Sequence, residues 1–177
     1  VRHISIASGF GTNIFYGSIV NIVTAGTIEV VTDIGSNADP FPAGVIGVFV
    51  GCTYTDPTSK NKTFSQHWPT GTVASDAMAY VVDDPDTLFM VQGDATMAQA
   101  TLGANAPLAA VQSTATGSTT TGNSTSALSA TVVLTATVAF RIVDFVDSPD
   151  STVGDAFTDV IVKFNEGIHS YTNATGI

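Results

Sequence analysis

Apolar residues along the chain fall in short runs separated by Gly, Pro, Asp, Asn, Ser and Thr. Runs of this kind, bounded by turn residues, predict β-strands. Tyr80-Val-Val82 and Leu88-Phe-Met-Val91 flank Asp83-Asp84-Pro85-Asp86. Pro85 pre-sets φ for a turn and the aspartates can bond nearby amides, so 77–92 reads as a central hairpin. Residues 44–54 form the strongest strand, and Gly44, Gly47 and Gly51 within it predict bulges or close backbone approach. Residues 14–23, broken at Gly17-Ser18, and 27–32 read as strands joined by a turn at Thr24-Ala25-Gly26. Pro107 to Gln112 is a further short strand. Val132, Leu134, Val138, Phe140 and Ile142 occupy alternate positions, which predicts a long strand over 130–144 with one buried face. Phe157 to Asn165 is the last strand.

One helix is predicted, over 94–104. Asp94 would cap it, Met97, Ala98 and Leu102 would share a face, and Gly103 would end it. The sum is an all-β chain, an antiparallel sandwich or barrel with one short helix, a jelly roll being one form it can take. Its 177 residues suit a single β domain. Residues 1–13 read as an N-terminal arm, 113–129 as a mobile Ser/Thr/Gly-rich loop, and 166–177 as a C-terminal tail.

Composition narrows the function classes. Charged residues make up only 11% of the chain against 44% hydrophobic, so the surface is sparsely charged and rich in Thr, Ser, Gly and Ala. Net charge is −10, and the five basic residues are scattered. They cannot form the basic stripe that a phosphate backbone or an anionic membrane requires, so neither nucleic acid nor membrane is an expected partner. No apolar run has the length of a membrane span, and Val1-Arg2-His3 is not followed by the apolar stretch of a secretory leader. Cys52 is alone, so no internal disulfide forms, and it reads as a small buried side chain.

No motif points to catalysis. His3, His67 and His169 lie far apart, and they read as solvated or at contacts rather than as metal ligands. The Asp-rich loops (Asp83, Asp84, Asp86; Asp144, Asp147, Asp150, Asp155) lack an EF-hand pattern and suit turn capping. A G-x-S-x-G elbow and a phosphate loop are missing, and three Asn-x-Thr sequons are expected by chance in so Thr-rich a chain. The expectation is a non-enzymatic protein without cofactor or metal. Phe64-Ser-Gln-His-Trp68-Pro69 places aromatics in a polar loop, where they would form a protein hot spot, a sugar platform or a cover for an open barrel end.

Three strings carry a resemblance: 45–54, Phe64-Ser-Gln-His-Trp-Pro69, and Ala79-Tyr-Val-Val-Asp-Asp-Pro-Asp-Thr-Leu-Phe-Met-Val-Gln92. Leu102-Gly-Ala-Asn-Ala106, 140–150 and Val160-Ile-Val-Lys-Phe-Asn165 continue it in order. Together they resemble capsid decoration (cement) proteins of tailed bacteriophages, especially marine and cyanobacterial ones. The resemblance implies a structural β protein on the outer surface of the virion head, bridging major capsid protein subunits. Self-association around a local symmetry axis, as a homo-oligomer, goes with that role. The expected contact residues are Arg2, Ile4 and Phe10 in the arm, Phe64 and Trp68 in the loop, and Tyr171 in the tail. The alternative is a carbohydrate-binding module or adhesin centred on Trp68. A hydrolase using paired aspartates is a further rival, and it requires a deep cleft with converging acids.

Overall fold

The computed structural model describes residues 1–177 and has ten strands: β1 (Arg2–Ser5), β2 (Ile19–Ile22), β3 (Ile28–Val30), β4 (Val45–Thr55), β5 (Lys62–Ser65), β6 (Met78–Val82), β7 (Phe89–Gln92), β8 (Asn105–Ala106), β9 (Phe140–Phe145) and β10 (Asp159–Phe164). They form two antiparallel sheets. Sheet A runs β1-β6-β4-β2-β3, with β5 also paired to β4, and sheet B runs β7-β10-β9-β8. The architecture is an all-β sandwich.

β4 is apolar on both sides because both of its faces are buried. Ile46, Phe49, Cys52 and Tyr54 join one core with Ile4, Val20, Ile28, Trp68 and Val81. Val45 joins the other, with Ile19 and, from sheet B, Phe140, Ile142, Val160, Val162 and Phe164. Sheet A curls around the first core until Ile6 meets Ile28 in a single bridge, without closing a barrel. Sheet B packs on part of its outer face. The register of β4 shifts against β2 after Val20 and against β6 between Phe49 and Gly51, in the glycine-marked stretch that predicted bulges. At Gly47, with φ +143°, a Cβ would stand 1.9 Å from the Val82 carbonyl oxygen, so only glycine fits.

Several predicted elements are different. Residues 77–92 are not a hairpin. Both edges of β6 are taken, by β1 and β4, so β7 has no place beside it and pairs with β10 in the other sheet. The turn at Asp83–Asp86 does form, with the Asp86 amide donating to Asp84 Oδ1 at 2.9 Å, but it is a corner between sheets. The helix over 94–104 is absent apart from a 3₁₀ turn at Gln99–Thr101. Local amides are bound elsewhere: Asp94 donates to the Leu128 carbonyl and Met97 to Thr158 Oγ1. Asp94 itself accepts from the Ala130 amide rather than capping.

The strand expected over 130–144 begins only at Phe140. A turn at Ala136–Thr137 interrupts it, and Asn165 Nδ2 donates to the carbonyls of Ala136 and Val138. Leu134 is consequently exposed. Pro107 to Gln112 holds one bridge, Leu108 to Leu128, and no strand.

Candidate functional site

The outer face of sheet A outside sheet B carries two cross-strand rows. Phe64, Thr53, Met78 and Ser5 lie opposite one another across β5, β4, β6 and β1. Gly51, Tyr80 and His3 form the next row, with the rings of His3 and Tyr80 at 4.6 Å edge-on. These residues share a face because side chains alternate along a strand. Neither row contains a carboxylate, on a chain that carries fifteen. Phe64 is 74% exposed. Thr53 beside it is buried, and its hydroxyl lacks a hydrogen-bond partner. The nearest ion pair lies at the margin, where Lys62 reaches Asp76 at 2.8 Å. That contact and two bonds from Thr55 hold the Asp76 carboxyl well below the usual range.

The predicted contact residues divide. Phe64 is on the exposed face just described. Ile4, expected in a free arm, is buried in the first core, because residues 2–5 form an edge strand hydrogen-bonded to β6. Trp68 is a correction of the same kind. It is fully buried, meets Tyr54 edge-on at 5.4 Å, and donates its indole N–H to the Phe10 carbonyl at 3.3 Å. Buried in the first core, with its backbone bridged to Ile14, it offers no platform for a sugar. Phe10 is half-buried against the same core.

Arg2 and Tyr171 are brought together at one end. Arg2 donates to the Tyr171 hydroxyl, which donates to Asp83 Oδ2 at 3.0 Å. Burial, with Asp83 alongside, raises the phenol's pKa.

The tail and the low-complexity loop are built into the body. His169, read as solvated or at a contact, is buried. Its Nε2 donates to the Ile46 carbonyl at 2.8 Å while Nδ1 accepts the Tyr171 amide at 3.2 Å, and burial lowers its pKa. The loop at 113–129 bridges Tyr16 through Asn123 and ends on buried Leu128. Gly117 passes so close under Phe15 that a Cβ would stand 2.3 Å from the ring. Cys52 lies in the first core, and burial pushes its thiol up to about 12.

A cleft of about 580 Å³ opens where sheet B stops covering sheet A. Val48 and Val82 of sheet A, Phe89 and Val91 of β7, and Leu108 and Leu128 line it, with Ser124 and Ser126 on the far wall. No acid, base or histidine lines it. Its side chains offer hydroxyls and one amide, and no converging carboxylates of the sort a hydrolase needs.

Sequence reasoning missed the exposed partners of Phe64. Within β6 small, buried Ala79 alternates with larger, partly exposed Met78 and Tyr80, and that size alternation marks which face is packed tightly. Comparison with protein-family profiles, curated protein sequences and solved structures gives no match to this chain.

Proposed function

We propose that the chain is a structural decoration protein of a tailed-phage head, binding the outside of the assembled shell and stabilising the major capsid protein lattice. The observation that carries the reading is the pair of carboxylate-free rows on the outer face of sheet A, with Phe64, Met78, Tyr80 and His3 presented together on the sheet. Aromatic and Met side chains are enriched where proteins meet, and charge is depleted there. Net charge of −10 supports the outer surface, because packaged DNA repels an acidic protein. Such a protein acts by mass action. It binds the assembled lattice and not free subunits, so its binding energy adds to shell stability. Many sites on one shell, and self-association about a local axis, multiply modest affinities.

The test is co-sedimentation with expanded heads of the phage that encodes the chain. Wild-type protein pellets with heads and saturates. Phe64→Asp places a carboxylate in the contact and weakens binding at least ten-fold, while its thermal unfolding stays unchanged. Equal binding by wild type and Phe64→Asp would remove this face as the contact.

A further inference from the structure

The free edge of β7 beside the apolar cleft is a second, separate feature. The Gly93 amide donates to the Thr158 carbonyl at 2.9 Å, which sets the phase of the β7–β10 ladder. Odd-numbered residues of β7 therefore bond β10, and the main-chain groups of Leu88, Met90 and Gln92 point the other way. The Gln92 carbonyl accepts the Leu128 amide at 2.9 Å. Leu88 and Met90 have no such partner. Beyond Leu128 the segment 124–126 splays away to bond Tyr16 and Thr116, and the cleft is the gap it leaves. An unpaired strand edge with a row of free donors and acceptors is a template for another strand. Here Leu88 and Met90, 52% and 71% exposed, are also apolar, where such edges ordinarily carry charge.

The geometry points to strand addition: an extended segment of another protein pairs with Met90 of β7 and with Leu88 just before it, and sets alternate apolar side chains into the cleft. Charge selects the occupant. Asp84 and Asp86 are exposed before β7, Asp86 in an ion pair with Lys163 at 2.5 Å, and Asp94 is exposed after it, with Asp159 opposite Gln92 on β10, so each end keeps a net negative charge. A second copy pairing antiparallel through β7 would set these acids against each other. The matching segment is uncharged and apolar at alternate positions, with a basic residue at each end. From Asp86 to Asp94 the extended chain covers about 26 Å. Leu128 holds the edge at Gln92 and Asp94, so a seven-residue segment pairs only with Leu88 and Met90 and reaches the acids at either end through its terminal lysine side chains. This site stands on β7 and the cleft and does not depend on the capsid reading.

The probe is the labelled peptide acetyl-Lys-Thr-Val-Thr-Val-Thr-Lys-amide, followed by fluorescence anisotropy and by amide exchange in the full chain. Saturable binding, with slowed exchange at Leu88 and Met90, is expected. Met90→Pro removes an edge N–H and weakens it at least ten-fold. Methylating alternate amides of the peptide does the same from the ligand side and needs no protein variant. Replacing both lysines by glutamates weakens it by a similar factor, and Phe64→Asp leaves it unchanged. Four results would overturn the proposal: no saturable binding, binding indifferent to peptide methylation, displacement of the peptide by decanol at stoichiometric amounts, or sedimentation showing a dimer that Met90→Pro dissociates.

Discussion

Replacing Gln112 with alanine removes a side chain that does the work of a strand. Gln112 is buried, and its Oε1 accepts the Ile19 amide at 2.9 Å. Its Nε2 donates to the carbonyls of Ile19 at 3.1 Å and Val31 at 2.9 Å. The Ile19 carbonyl keeps a second donor, the Val31 amide at 3.0 Å, so two main-chain groups are orphaned, the Ile19 N–H and the Val31 C=O. Leaving a buried polar group unpaired costs about 1–3 kcal/mol, so the expected loss is about 2–6 kcal/mol. A domain's whole stability is about 5–15 kcal/mol, so the variant gives up a large share. Urea unfolding would show a lowered midpoint with unchanged slope. For a chain of this length the loss corresponds to a fall in melting temperature of about 4–24 °C. Gln112→Met keeps most of the volume without the hydrogen bonds, and its loss approaches that of Gln112→Ala. A loss below about 1 kcal/mol in both variants would refute the hydrogen-bond reasoning, and a loss confined to alanine would assign the effect to the cavity.

The remaining predictions follow from burial and charge. Trp68→Ala costs about 3–5 kcal/mol, as for a buried aromatic, while Phe64→Ala stays within about 0.5 kcal/mol, as for an exposed one; chemical denaturation of the two variants side by side checks this. Burial lowers the pKa of both His169 and His67, so the unfolded chain binds more protons once pH falls below the ordinary histidine value of about 6.5. Stability contributed by these two rings is fully present above that pH and is lost as pH falls toward the folded values, with a second loss near and below the ordinary aspartate value as Asp76 protonates. Melting temperatures between pH 3 and 8 trace both limbs, and His169→Gln shrinks the first; a flat profile above pH 4 would contradict it. Cys52 resists a thiol reagent at pH 8 in the folded protein and reacts in urea; rapid labelling of the native chain would show the first core to be open.

How much was legible depended on whether the signal was local. β4, β10, the turn between β2 and β3 and the glycine bulges were readable because period, turn chemistry and steric need all sit in neighbouring residues. The 77–92 stretch misled because its turn was right and its pairing was not. Pairing is decided by which edges are vacant, and β1, more than seventy residues earlier in sequence, occupies the edge of β6 that a hairpin would use. The 130–144 alternation failed at Ala136–Thr137, where Asn165, just past the end of β10 and far along the sequence, satisfies the turn. At the candidate site, Phe64 was readable as an aromatic among polar residues. Trp68 in the same loop looked alike, and only the fold shows that one ring faces solvent and the other closes the core. Gln112, expected at the end of a short strand over 107–112, gave no sign that its side chain is a strand's hydrogen-bond partner, because nothing local distinguishes such a glutamine.

The proposed decoration role is tested most directly by electron cryomicroscopy of tailed-phage heads, with and without added protein. The account predicts extra density of this fold on the outer surface, over contacts between capsid subunits, with Phe64 turned toward the shell, and heads that withstand higher temperature when it is present. Density inside the shell against the genome, or heads that gain neither density nor stability at saturating protein, would contradict it.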